Sequence, residues 1–324
     1  MTEEQWGRRV RSIRMRIRRA RAAALAAGAL LIVGLAALAA GAAADGSTSG
    51  GNVATVTLAD RTLPGSRLDL ATDSADVNVH VWNRPGIHVT AIERGGRRGD
   101  TVEVSLVGDT VRVRQHLEPC FSPCTRDLRY DVSAPARAAA KILSSSGRIG
   151  VDGLGGGLTI GTASGDVTLH DVGGHLDANT ASGNVVLGAG RVTGATVRTS
   201  SGDIELAGVA GTLDLHSASG SITVRDARDG ALAIATASGD IDYTGSLATR
   251  GSDMISSASG SVTLRLPAGS RFQLDASTAS GGLHDGFGLR DSQQNDTRLS
   301  GTAGDGSARL RITTDSGDIA VNRA

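Results

Sequence analysis

Ile160-Gly-Thr-Ala-Ser-Gly-Asp-Val-Thr-Leu169 decides how this chain is read, because copies of it recur almost to the C-terminus. Its Ser-Gly pair returns at 146, 164, 182, 201, 219, 238, 259, 280 and 316, in steps of 18, 18, 19, 18, 19, 21, 21 and 36 residues. The last step is twice 18. A fixed period of this length marks stacked supersecondary units, each too small to bury its apolar side alone.

With each Ser as position zero, the apolar residues sort into columns. Position +3 holds Ile149, Val167, Val185, Ile204, Ile222, Ile241, Val262, Leu283 and Ile319, and position +5 holds Val151, Leu169, Leu187, Leu206, Val224, Tyr243, Leu264 and Val321, with Asp285 the exception. Positions −6 and −4 hold pairs such as Leu158 and Ile160, Leu213 and Leu215, and Leu310 and Ile312. Alternation of this kind predicts two strands per copy, one on each side of the Ser-Gly corner. The fold class expected is all-β: a single-domain parallel β-solenoid of 18–21-residue rungs. About nine rungs stacked at ~4.8 Å make a rod on the order of 40 Å long.

The corner residues have structural roles in this scheme. Gly at +1 permits positive φ or close approach of the next rung. Thr or Ser at −2, from Thr162 to Thr314, is placed to stack as a ladder of hydroxyls. From 166 onward, position +2 alternates acid with neutral polar residue: Asp166, Asn184, Asp203, Ser221, Asp240 and Ser261. Alternation separates like charges by ~10 Å rather than ~5 Å. These six residues form the candidate outward binding column. A solvated corner is the simpler account of it. A row of calcium ligands is the sharper one, although the glycine- and aspartate-rich nonapeptide of calcium-binding β-rolls is absent.

Outside the repeats, charge is divided sharply. Residues 1–44 carry eight Arg against Glu3 and Glu4, a net of +6, so the remaining residues carry −6 and the whole sums to zero. Nucleic acid is therefore not an expected partner of the acidic part. Residues 1–21 read as a basic cytoplasmic tail and 22–44, free of charge, as a transmembrane helix that places the repeats outside the membrane. Ala42-Ala43-Ala44 also resembles a signal-peptide cleavage site, and Arg8-Arg9 a twin-arginine signal. An uncleaved anchor is favoured, since the apolar run exceeds the usual signal-peptide core. Residues 45–52 are a Gly/Ser linker. Residues 53–143 read as an N-terminal β segment that starts and caps the solenoid, with Asp73-Ser-Ala-Asp-Val77 a degenerate corner, and 144–324 as the repeat proper, with an irregular loop at 282–309.

Cys120 and Cys124 are the only cysteines, and outside the cytoplasm so close a pair is expected to form a disulfide. A redox pair or zinc site has less in its favour, because neither C-x-x-C spacing nor two further ligands are present. His284 beside Asp285 suggests proton transfer, but no nucleophile accompanies the pair, and an exposed polar loop accounts for it.

Val132-Ser-Ala-Pro135 before the first corner, the repeated Ser-Gly-Asp-Ile/Val, Leu264-Arg-Leu-Pro267 and the closing Thr314-Asp-Ser-Gly-Asp-Ile319 resemble the bacterial putative-adhesin family of DUF4097 β-strand repeat proteins. The resemblance covers roughly residues 53–324 and departs from the pattern at Gly282 and Asp285. It implies a β-solenoid displayed at the cell envelope, brings no catalytic residues, and includes relatives linked to envelope-stress regulation. The function expected is thus a membrane-anchored, extracytoplasmic, non-enzymatic binding module without cofactor or metal. Its partners would be the membrane, through the N-terminal helix, and an envelope polymer or envelope protein. The alternatives are an accessory of envelope-stress sensing and a polysaccharide-active β-helix enzyme. The latter would want paired carboxylates and sugar-stacking aromatics, and aromatics are 2% of the chain.

Overall fold

A computed structural model describes residues 55–95, 100–118 and 127–324. The basic tail, the helix expected over 22–44 and both cysteines lie outside the described residues. Within them the protein is all-β, with 26 strands and no helix.

The chain begins with β1 (Thr55–Leu63), β2 (Arg67–Trp82), β3 (Ile87–Arg94), β4 (Thr101–Val107), β5 (Thr110–His116) and β6 (Asp127–Pro135). Strand pairs then follow, one pair per repeat: β7 (Ala139–Ser146) with β8 (Ile149–Asp152), β9 (Leu158–Thr162) with β10 (Val167–His170), and β11 (Val172–Thr180) with β12 (Val185–Leu187). Next come β13 (Gly190–Thr199) with β14 (Ile204–Ala207), β15 (Thr212–Ser217) with β16 (Ile222–Gly230), β17 (Leu232–Ser238) with β18 (Ile241–Leu247), and β19 (Gly251–Ser259) with β20 (Val262–Leu266). The chain ends with β21 (Phe272–Ser280), β22 (Leu283–Gly286), β23 (Arg290–Gln294), β24 (Arg298–Ala303), β25 (Ala308–Ser316) and β26 (Ile319–Arg323).

The first strand of each repeat enters one sheet and the second strand enters another, with the Ser-Gly corner between them. Parallel partners in the corner-following sheet, sheet I, match column to column: Ile149, Val167, Val185, Ile204, Ile222, Ile241 and Val262 pair in succession. The corner-preceding sheet, sheet II, aligns Ile142, Ile160, Ala178, Val197, Leu215, Ile234 and Ile255 in the same way. Both rows point inward and are buried. Period-2 alternation thus gives each rung two apolar faces that meet in one continuous core. Tyr243 takes its +5 place there, fully buried, with its hydroxyl donating to Ser246 O at 2.7 Å.

The second corner, after +5, absorbs the differences in repeat length. Register shifts occur there between Val224 and Ala227 and between Ala227 and Gly230.

Stacking order departs from sequence order at both ends. Near the N-terminus, β2 crosses both sheets as one rung: Ser74 pairs with Ser146 and Val77 with Ile149, so the degenerate corner at 73–77 is a true rung. On its other face β2 pairs with β5 in sheet II and β6 in sheet I, a further rung beyond it. Antiparallel β4 covers β5, antiparallel β3 covers β6, and β1 covers β3. Near the C-terminus, β25 and β26 slot between the β19/β20 rung and the β21/β22 rung. Antiparallel β24 then covers β21, and β23 covers β24. Reversed strands at both ends of sheet II, and at the N-terminal end of sheet I, blunt edges that would otherwise template another chain.

The segment 282–309, expected as an irregular loop, therefore holds a terminal rung strand and a capping hairpin. The two departures from the repeat follow from that terminal place. Asp285 stands where an inward apolar residue is usual, and its carboxylate accepts from the backbone N–H groups of Phe287, Gly288 and Leu289 at 3.0, 2.8 and 2.9 Å. It fastens the turn that leaves the last rung. Gly282 lacks the +2 side chain because no further rung lies beyond it to receive one.

Candidate functional site

Three kinds of backbone-directed contact fasten the corners and account for their sequence. The −2 hydroxyl accepts from the N–H of the Gly three residues on, as in Thr162 to Gly165 at 3.0 Å and Thr180 to Gly183 at 2.9 Å. Toward the C-terminal half the hydroxyl instead donates to the glycine carbonyl of the neighbouring rung, Thr236 to Gly220 O at 3.0 Å and Thr314 to Gly260 O at 3.1 Å, while the corner Gly N–H turns to a backbone carbonyl, as in Gly239 N to Ser259 O at 3.1 Å. The expected hydroxyl ladder is thus a hydroxyl-to-glycine ladder. Between the two expected reasons for glycine, close approach decides most corners. A Cβ on Gly183 would lie 1.9 Å from Gly165 O, and one on Gly220 1.9 Å from Gly202 O.

The +2 column is the third contact. Asp166 Oδ1 accepts from Asn184 N at 2.9 Å, Asn184 Oδ1 from Asp203 N at 2.9 Å, Asp203 Oδ1 from Ser221 N at 2.8 Å, and Asp240 Oδ1 from Ser261 N at 2.8 Å. Asp76 does the same for Arg148 N at 2.8 Å and Asp318 for Gly282 N at 2.6 Å. Each +2 carbonyl in turn accepts from the +3 N–H of the neighbouring rung, for example Val167 N to Asn184 O at 2.8 Å. The candidate outward column is therefore brought together as one exposed line along the corner, with one oxygen of each acid or amide tied to the backbone. Among the described residues no group of three His, Cys, Asp or Glu side chains is arranged to hold a metal ion.

Sequence reading passed over the outward face of sheet I near the N-terminal end. There Thr62, His88, Ser133, His80, Asp152 and His170 fall in one cross-strand row. Ser133 Oγ and His80 Nε2 are 2.8 Å apart, a spacing that suits a nucleophile and base. Two features make this row a poor hydrolase. Asp152 is engaged with His170, at 3.2 Å. Ser133 sits in the middle of β6, which pairs with β2 and with β3, so the backbone N–H groups beside it serve the ladders and no oxyanion hole is left. No signal in the sequence marks this row, because its members come from six strands spread over more than 100 residues.

His284 is exposed and Asp285 is spent on the terminal turn, so the two do not form a proton-transfer pair. A second buried feature was also passed over. Asp253 occupies the −6 column where Leu or Ala stands in other rungs, and it is 2% exposed. Its Oδ1 accepts from Leu232 N at 2.9 Å. At the equivalent place in the neighbouring rung, Leu213 N donates to the backbone carbonyl of Ala231 at 2.9 Å. The carboxylate thus stands in for a main-chain acceptor. Oδ2 has no hydrogen-bond partner, and burial pushes the carboxyl up to about 6.

These features define a class: a two-sheet, reverse-capped β-solenoid whose corners are fastened by Thr, Gly and Asp. The family model described as Toastrack DUF4097 matches residues 65–322, and the chain belongs to that family. Among solved structures, a Bacteroides fragilis protein described as a putative adhesin is 11% identical, covering 83% of this chain and 97% of its own, with a TM-score of 0.42. A putative lipid binding protein from Parabacteroides distasonis is 13% identical over 84% of this chain and 97% of its own, with a TM-score of 0.39. A putative cell adhesion protein from Clostridium sporogenes is 9% identical over 84% of this chain and all of its own (100%), with a TM-score of 0.23. No curated protein matches the sequence.

Proposed function

We propose that this protein is a non-enzymatic binding and spacer module of the cell envelope, anchored in the membrane through residues 22–44 and extended outward by its repeats. The observation that carries this reading is the filled interior. From Leu68 to Val321 the inward columns of both sheets are filled with buried apolar side chains, Asp253 and Asp285 excepted, so recognition falls to the exterior and to the ends of the rod. Support for location comes from the charge division between residues 1–44 and the rest. Repeated, similar outward rows favour many weak contacts strengthened by multivalency.

Two measurements test it together. Protease added to intact cells should remove the repeats and spare the N-terminal tail. Purified protein should co-sediment with isolated envelope polymer without releasing soluble sugar. Repeats protected in intact cells, or reducing ends released from the polymer, contradict the proposal.

A further inference from the structure

The N-terminal end of the rod carries a built aromatic site that the repeat does not explain. β2 ends in Trp82, and the turn Asn83-Arg84-Pro85-Gly86 leads into β3. Gly86 has φ +84°, and a Cβ there would meet Leu63 O at 2.5 Å, so this turn has one shape and tolerates only glycine at that place. The indole is held from two directions. Its Nε1 donates to Gly86 O at 3.0 Å, and its ring stacks on His88 at 5.6 Å between centroids. His88 is itself fixed through both ring nitrogens, Nδ1 to Thr62 Oγ1 at 3.0 Å and Nε2 to Thr90 Oγ1 at 3.1 Å.

Beside this plate is an open pocket of about 500 Å³, lined by Trp82, Asn83, Arg84 and Pro85 from the turn and by Pro135 and Ala136 from the end of β6. Arg84 Cζ lies 5.7 Å from the Trp82 ring centroid. The guanidinium is exposed and forms no ion pair among the described residues. Three chemistries therefore converge: a half-buried aromatic face, a planar cation without a carboxylate partner, and an exposed side-chain amide at Asn83. Pro85 and Pro135 wall the site with backbone that loses little entropy on binding.

We infer that this pocket binds an acidic polysaccharide whose pyranose rings carry carboxylates. His88 stacks on the indole and the exposed Arg84 guanidinium lies over it, so Arg84 swings aside for the apolar C–H face of a pyranose to pack on the indole; its fork then takes a carboxylate in bidentate fashion, and ring hydroxyls pair with the amide of Asn83. A proline-rich peptide is less well matched, because such ligands dock in grooves lined by several aromatics and, among the described residues, Trp82 alone is an aromatic lining this pocket. The inference rests on the binding-module reading and names the ligand class of one end of that module.

Full-length protein carrying Trp6→Phe leaves Trp82 as the sole tryptophan, so its fluorescence reports the site directly. Titration with polygalacturonate should change that fluorescence saturably, while neutral dextran and polyglutamate should not. Arg84→Gln, at an exposed position that leaves thermal stability unchanged, should raise the apparent Kd at least tenfold. Trp82→Phe in wild-type background, followed by co-sedimentation, should weaken binding less than Trp82→Ala. Equal response to polyglutamate or dextran, preference for an acidic proline-rich peptide, or an Arg84→Gln protein that binds as tightly as its parent overturns the assignment. Were polygalacturonate ignored while the protein still co-sedimented with envelope polymer, the pocket assignment would fall and the binding-module reading would stand.

Discussion

Ser316 pairs in register with Ser259 on one side and Ser280 on the other, although Ser280 lies between them in the sequence. The 36-residue step therefore does not record a missing repeat. It records a chain that skips one rung position, builds the terminal rung and its cap, and then returns to fill the gap. Since β25 and β26 complete ladders on both of their sides, the last residues of the chain are internal to the stack.

The glycine column yields the sharpest stability contrast. Gly220→Ala sets a Cβ 1.9 Å from a backbone carbonyl that cannot withdraw without breaking the ladder. It should destabilise the fold by about 3 kcal/mol, the upper range for overpacking. Gly269→Ala, where an added Cβ meets nothing within 4 Å, should fall within about 0.5 kcal/mol of wild type. Urea denaturation of the two variants checks both values, and equal midpoints would count against the close-approach explanation.

The +2 ladder separates two roles that a single alanine scan would confuse. Asp203→Ala removes the acceptor for Ser221 N and should cost about 1 kcal/mol, whereas Asp203→Asn keeps a side-chain oxygen there and should cost less. Replacing Asp166, Asp203 and Asp240 together by Asn then removes three exposed charges with the ladder retained. Should that variant keep its stability and lose binding to envelope polymer, the corner is a contact face. Unchanged binding would confine the column to a structural role.

Asp253 predicts a pH dependence of defined sign. Its folded pKa, raised to about 6 by burial, lies above the ordinary value of 3.8, so between these pH values the folded state binds more protons than the unfolded. Stability should fall as pH rises through that window, and above it the buried carboxylate costs about 3 kcal/mol. Asp253→Asn, which retains an oxygen for Leu232 N, carries no titrating carboxyl. Its stability relative to wild type should therefore improve by about 3 kcal/mol between pH 3.5 and pH 8, measured by denaturation at each pH. A difference that stays constant across the range would show that Asp253 is not charged at high pH.

Much of the architecture was legible because the repeat is short and periodic. Ile222, Val224 and their counterparts reveal two inward columns by spacing alone, and Ser74 could be matched to the corner despite an Ala in place of Gly. The stacking order was not legible. Nothing in the local sequence around Ser280 or Ser316 distinguishes a neighbour from a rung that fits in later, since the same corner serves every slot. Position +2 was legible only in part: its polarity places it on the outward surface, while its bond to the next rung's backbone depends on a register that only the stacked structure displays. Trp82, Arg84 and Pro135 are equally ordinary in sequence, and become a site because β2 and β6 are paired strands.

Re-entry is the claim on which the account of the whole rod depends, and disulfide trapping tests it most directly. In full-length protein with Cys120 and Cys124 replaced by Ser, pairs of the exposed corner serines are changed to cysteine and oxidised mildly. Neighbouring parallel strands place paired Cα atoms ~4.8 Å apart, within reach of a disulfide, and strands two apart roughly 10 Å, beyond it. Ser259→Cys with Ser316→Cys should close an intramolecular bond, as should Ser280→Cys with Ser316→Cys, while Ser259→Cys with Ser280→Cys should not. A bond between 259 and 280 without one between 259 and 316 would mean that the rungs stack in sequence order, contradicting the structure described above.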